Sequence, residues 1–179
     1  MLRELQFKYL SNRHADDVFR FALALLGNHA DAEDAAQEVL IKLWSHLPVL
    51  TVGRMKTCML TTTRHHCLDQ LRKRQRKESV PLESITNILE YEDTDLNLCQ
   101  PDRQAIHEKV IQALESLPEN QRSAFALYEI NGLKYRQIAT TLNLPLNSVK
   151  VYISRARQNL QQQLKKESSW IKSYIDGSK

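Results

Sequence analysis

Two short stretches of the sequence concentrate side chains of one chemistry, and both are cationic. Arg72-Lys73-Arg74-Gln75-Arg76-Lys77 places five positive charges in six residues. Leu146 to Gln158 interleaves amides, hydroxyls and cations with Val149, Tyr152, Ile153 and Ala156. Amides, hydroxyls and Arg can read base edges in a DNA major groove, while Lys and further Arg anchor phosphates. Catalysis has no comparable footing. The six histidines are scattered, no Ser/His/Asp or Cys/His arrangement can be defended, and no Gly-rich phosphate loop occurs. His65-His66-Cys67 with Cys58 invites a metal reading, but adjacent helical histidines point in different directions and no second ligand pair has metal spacing. No metal, no cofactor and no enzymatic activity are therefore expected.

For the second stretch to meet a groove, a helix must present it. Leu133-Lys-Tyr-Arg-Gln-Ile138-Ala139-Thr-Thr-Leu142-Asn143-Leu144, running on through Ser148 to Ile153, has the grammar of a helix-turn-helix. That motif needs a small residue where its helices cross, and Ala139 supplies it. It also needs a turn residue that tolerates a left-handed backbone. Asn143 stands where Gly is usual, and Asn is the next best residue there. In the second helix, Val149, Tyr152, Ile153, Ala156 and Leu160 share one face at roughly 100° per residue. Asn147, Ser148, Lys150, Val151, Ser154, Arg155 and Gln158 are left outward, with Arg157 beside them, and no acid among them. The alternative is an ordinary solvated helix on a bundle.

The first stretch ends another helix, expected from about Arg54 to Lys77, with Met55, Met59, Leu60, Thr63, Cys67 and Leu71 on its inner stripe. A helix C-terminus favours one or two cations, and five exceed that need. Cys58, Thr61, His65, Arg72 and Arg76 lie roughly opposite the apolar stripe, a polar strip with charge at its end. Such a run can equally be a solvated face. Two helices precede it. Val18, Phe19, Phe21, Ala22, Leu25 and Leu26 recur at helical spacing up to Gly27-Asn28, and acids at Asp31, Glu33 and Asp34 open a helix that Pro48 ends before a loop over 49–53.

The 179 residues are 42% hydrophobic and 26% charged, which is globular composition, and only 4 Gly and 5 Pro argue against an all-β chain of many tight turns. An all-α fold is expected, as two small helical domains joined by a flexible acidic linker. Residues 1–79 form the first domain, 80–102 the linker, with a short helical piece around Ile85 to Tyr91, and 103–166 the second domain, leaving a weakly patterned tail over 167–179. Formal charge divides the same way: +4 over residues 1–80, −6 over 81–102 and +6 over 103–179. Two basic modules on an acidic connector suggest two contacts on one polyanion, since like-charged modules gain nothing by packing on each other. No run approaches the ~20 apolar residues of a membrane span, and the first ten residues lack a signal-peptide core. A cytoplasmic location is expected, with Cys58, Cys67 and Cys99 as reduced thiols.

The ordering of these segments resembles the extracytoplasmic-function (ECF) sigma factors of bacterial RNA polymerase. The residues that carry the likeness are Asp31-Ala-Glu-Asp-Ala-Ala-Gln-Glu-Val-Leu-Ile-Lys-Leu-Trp44, Leu68-Asp69-Gln-Leu-Arg-Lys-Arg74, Leu114-Glu-Ser-Leu-Pro118-Glu-Asn-Gln-Arg122, the helix-turn-helix and Ser154-Arg-Ala-Arg157. The likeness spans about Ala15 to Leu164. It implies a promoter-specificity subunit without chemistry of its own, a monomer that binds core RNA polymerase at its largest-subunit clamp and at its flap. Asp34, Gln37 and Glu38 match the helix that docks on the clamp. Arg54, Lys56, Thr61, His65, Arg72 and Arg76 match the parts that capture the downstream (minus ten) promoter element. Asn147, Ser148, Lys150, Val151, Ser154, Arg155, Arg157 and Gln158 would meet the upstream (minus thirty-five) element. The linker would run through polymerase channels as a nucleic-acid mimic, and an anti-sigma factor would hold the protein inactive.

Some positions depart from the family pattern. Cys58 replaces Trp, Thr62 and Thr63 replace Ile-Ala, His65 replaces Asn, and Arg136 and Gln137 replace an acidic pair. No Phe, Tyr or Trp lies between Trp44 and Tyr91, so strand opening there cannot rest on aromatic stacking. Two rival readings remain. A stand-alone helix-turn-helix regulator would be a dimer on a palindromic site. A metal-dependent enzyme or sensor would be built on Cys58, His65, His66 and Cys67.

Overall fold

The computed structural model describes residues 2–46, 55–78 and 101–176, and every regular element among them is helical. In chain order these are α1 (Leu2–Leu26), α2 (His29–His46), α3 (Met55–Glu78), α4 (Pro101–Glu115), α5 (Glu119–Glu129), α6 (Tyr135–Leu142) and α7 (Leu146–Asp176). The Pro48 stop, the loop over 49–53, the short helix in the linker and Cys99 lie outside the described residues. No described helix is long and apolar enough to cross a membrane.

Three helices make the first module. α1 stops where Gly27 takes φ +80° and donates its N–H to Leu23 O at 3.0 Å, a left-handed cap that Gly adopts without strain. α2 starts at His29 rather than at Asp31, because Asn28 caps it: Asn28 Oδ1 accepts the Asp31 N–H at 2.8 Å, and Asn28 Nδ2 donates back to the Asp31 carboxylate. Arg74 of α3 also reaches Asp31, tying the start of α2 to the end of α3. Leu10, Val18, Val39, Leu43, Met55 and Met59 are packed together as one core of this module.

The second module is α4 to α7, and α7 departs from expectation at its far end. The tail after Lys166 continues α7 to Asp176. Lys165 to Asp176 contains neither Gly nor Pro, so nothing in the backbone interrupts a helix already propagating.

A second departure concerns the modules together: they pack against each other. Phe21, Leu25 and Leu60 of the first module belong to the same buried cluster as Leu114, Leu117, Leu127, Ile138 and Ile153 of the second. Like net charge does not prevent this, because the surfaces that meet are apolar and each junction cation has an acceptor. Lys56 Nζ donates to Asp17 Oδ1 at 3.0 Å and to Asn131 O at 2.8 Å. Arg64 donates to Glu119 Oε1 at 2.9 Å and Asn120 Oδ1 at 3.0 Å. Arg122 bridges Leu25 O at 2.8 Å and Glu115 O at 2.7 Å. Gly27 lies at this seam too, where a Cβ would collide with the Glu115 side chain.

Candidate nucleic-acid interface

The helix-turn-helix is built as the sequence implies. Asn143 closes α6 at φ 52°, ψ 49°, and the Leu144 N–H reaches back to Ala139 O at 3.0 Å, the long hydrogen bond of a left-handed C-cap. At the other end of α6, the Lys134 N–H donates to Gln137 Oε1 at 2.9 Å, so Gln137 does the capping work of the acid it replaces. Ile138, Leu142, Val149, Ile153 and Ala156 are fully or nearly buried and lock α7 onto α6 and α5. Fixing that face leaves the opposite one no freedom about where it points.

The opposite face of α7 is where the sequence puts it. Asn147, Lys150, Val151, Ser154, Arg155 and Gln158 are exposed and Ser148 is half-buried. Neither Lys150 nor Arg155 makes an ion pair among the described residues. Arg157 is different. Its Nε and Nη2 donate to Glu129 Oε1 at 2.8 and 2.6 Å, and its guanidinium sits over the Tyr128 ring at 5.1 Å. Tyr128 stacks in turn on Tyr135, rings 5.0 Å apart and 6° from parallel. Hydrogen bonding to Glu129 holds the Arg157 pKa above its ordinary value, against a small opposing effect of burial. This clamp joins α5, α6 and α7. Sequence reasoning missed Glu129, Tyr128 and Tyr135 because they precede Arg157 by more than twenty residues.

The strip on α3 is less uniform. His65, Arg72 and Arg76 are exposed and Thr61 is half-buried, its hydroxyl donating to Thr57 O at 2.9 Å. Arg72 pairs loosely with Asp69 at 3.5 Å. Lys56 is turned into the junction, and Arg54 lies outside the described residues. Burial works to raise the Asp17 carboxyl, but hydrogen bonds from Lys56 and His14 and the Lys56 charge outweigh it and hold the pKa below its ordinary value. His66 contacts Gln70 and Lys42, and burial with the Lys42 charge lowers its pKa. Burial pushes the Cys67 thiol up to about 12. No group of three or more His, Cys, Asp or Glu able to hold a metal occurs among the described residues.

On α2, Asp34, Gln37 and Glu38 are exposed together. Ile41, 63% exposed, extends the same face by a turn. It was legible only as an apolar residue four places after Gln37.

A pair of basic helical modules, one ending in a helix-turn-helix with an acid-free outer face, is the architecture of a two-module helical protein with surfaces suited to a polyanion. Comparison with known proteins gives it a family. Residues 10–77 match sigma-70 region 2 and residues 107–160 match sigma-70 region 4. The ECF RNA polymerase sigma factor SigE of Mycolicibacterium smegmatis is 35% identical over 169 residues, 89% of this chain and 62% of that protein. This chain thus spans less than two thirds of that relative's length. SigM of Bacillus subtilis, another ECF sigma factor, is 26% identical over 82% of this chain and 88% of its own. The sigma factor RpoE of Bartonella quintana, solved in complex with the anti-sigma factor NepR, superposes with a TM-score of 0.70 at 28% identity, covering 89% of this chain and 97% of that one. The chain belongs to the ECF sigma factors.

Proposed function

We propose that this chain binds core RNA polymerase in the cytoplasm and directs it to a class of promoters, and that an anti-sigma factor of the kind seen with RpoE controls it. It performs no chemistry itself. The observation that carries the reading is the order of its parts: an exposed acidic helix face at Asp34, Gln37 and Glu38, a basic strip along α3, and an acid-free recognition face on α7. In this reading α2 docks on the clamp of the largest subunit, and the second module docks at the flap. Arg54, Lys56, Thr61, His65, Arg72 and Arg76 serve the downstream element. Asn147, Ser148, Lys150, Val151, Ser154, Arg155 and Gln158 serve the upstream one. Arg157 supports that face through Glu129 and Tyr128 and can still reach a phosphate from its edge.

The packed modules fit a resting state. Promoter elements about 25 base pairs apart are separated by ~85 Å of helix axis, whereas a closed chain of this length has a radius of gyration of ~16 Å. Both elements can be engaged only after the junction opens, which also releases Lys56 from the Asn131 carbonyl. Each contact alone is weak and salt-sensitive, and polymerase that spaces the two makes the second intramolecular.

The test is transcription in vitro from genomic fragments with core polymerase, with and without the purified chain. Initiation at mapped starts that share two spaced elements supports the reading. Failure to co-elute with core, or a dimer on a palindrome that represses, refutes it in favour of a stand-alone regulator.

A further inference from the structure

Among the residues on the outer face of α7, one cannot hydrogen-bond through its side chain. Val151 is 45% exposed, and its neighbours on that face are Asn147 one turn before it, Ser154 and Arg155 one turn after it, and Gln158 two turns on. At roughly 100° per residue these positions bracket Val151, which lies within about 30° of the centre of the exposed arc. The centre of a solvated face is an unfavourable place for an isopropyl group, and burying it on a ligand recovers that cost. The face around it carries Lys150 and Arg155 without an ion pair among the described residues, and no acid. That charge fits the polyanion it is read as meeting. Val151 also sits five residues beyond the start of α7, in the part of a recognition helix that enters a groove.

Only one base presents an apolar group in the major groove: thymine, through its 5-methyl. We infer that Val151 reads a thymine methyl in the upstream element, between bases contacted by Asn147 and Arg155. This rests on the proposed function and adds to it the chemical identity of one recognised base. The amides beside Val151 suit adenine, so the step it occupies should be A·T-rich, with Arg155 toward a guanine at one end.

Deoxyuridine lacks only the thymine methyl. Duplexes would first be selected from a library randomised across the upstream element, using the full chain bound to core polymerase. Each thymine in the selected site would then be replaced singly by deoxyuridine, and holoenzyme affinity measured. At one position, on either strand, replacement should weaken binding about three- to fivefold, the effect of burying one methyl. Val151→Ser should abolish that penalty at that position alone, and Val151→Ile, which keeps an apolar contact, should retain it. If no thymine shows the penalty, if Val151→Ser leaves it intact, or if Val151→Ile loses it, the inference is wrong. If the chain with core selects no upstream element at all, the functional reading fails and takes this inference with it.

Discussion

The junction between the modules is the place where a single substitution should separate this account from its rivals. Lys56→Ala removes two hydrogen bonds, to Asp17 Oδ1 at 3.0 Å and Asn131 O at 2.8 Å. Because the Lys56 side chain is 36% exposed and Asp17 is 17% exposed, the ion pair is partly screened and is worth about 0.5 to 1 kcal/mol. The bond to the Asn131 carbonyl adds about 0.5 to 1.5 kcal/mol. Only the second of these bonds crosses the junction, since Lys56 and Asp17 both belong to the first module, so about 0.5 to 1.5 kcal/mol is lost from the closed state relative to the open one, a shift of roughly 2- to 13-fold. A ligand that binds only the open state gains apparent affinity by the same factor while the closed state dominates. Under the proposed function, core polymerase, free of DNA, is that ligand. Titrated with labelled chain, it should bind Lys56→Ala about 2- to 13-fold more tightly than wild type, and small-angle scattering should show the free variant expanded. Asn131→Ala, which loses the Nδ2 bond to Asp17 O at 2.8 Å, should move both readouts the same way. The two changes should not add, since they share one network.

Acid probes the neighbouring contact inside the first module, between Lys56 and Asp17. The Asp17 carboxyl is held below its ordinary value in the folded protein, chiefly by Lys56 and His14 of its own module, so its contribution to folding stability is fully present above the unfolded pKa of about 3.9 and is lost as pH falls through the lower folded value. The groups facing it are His14, Lys56 and Asn131. Wild type should therefore lose folding stability as pH falls below about 4, and Asp17→Asn should lower the melting temperature at pH 7 and flatten that pH dependence. The reasoning is refuted if Lys56→Ala binds core like wild type and scatters like wild type, with Lys150→Ala as the surface control.

Three further outcomes are expected. Asn143→Val, which forces a β-branched residue to φ 52°, should cost about 1 to 2 kcal/mol and lower the melting temperature, while Asn143→Gly should leave it nearly unchanged. Cys67, fully buried with its thiol pushed up to about 12, should resist alkylation at pH 8 in native protein as read by mass spectrometry, and react once the chain is unfolded. In holoenzyme binding assays, Arg155→Ala should lose ~1 to 3 kcal/mol on the cognate upstream element and relax preference at one position, whereas Lys150→Ala should weaken all sequences about equally and reduce the salt slope by ~1.

What could be read from the sequence was whatever depends on a residue's own backbone preference or on its position within one helix. Asn143 is legible because few residues other than Gly accept a left-handed backbone, and the outer face of α7 because a helix that buries Val149, Ile153 and Ala156 has only one other side. The junction was not legible, for a definite reason. The acceptors that hold Lys56 and Arg122 include main-chain carbonyls of Asn131, Leu25 and Glu115, and a carbonyl leaves no mark in a side-chain pattern. Lys56 reads in sequence as one more charge available to DNA. The Arg157 clamp escaped for a related reason, since its partner Glu129 lies 28 residues away on another helix.

These observations bear on what kind of control the closed arrangement exerts. The recognition face of α7 stays open in it: Asn147, Val151 and Arg155 are exposed while α4 and α5 pack on α1. The first module, by contrast, has Lys56 engaged at the seam. Under the proposed function, closure leaves the upstream contact available and withholds the correct spacing of the second, so an isolated chain samples single elements but gains nothing from their pairing. Selectivity, in the same proposed function, arises when polymerase binding supplies the free energy to part a seam of hydrogen bonds from Lys56, Arg64 and Arg122 and a shared apolar cluster. A seam much stronger would tax that binding beyond use, and one much weaker would leave the two basic modules free to settle separately on any DNA.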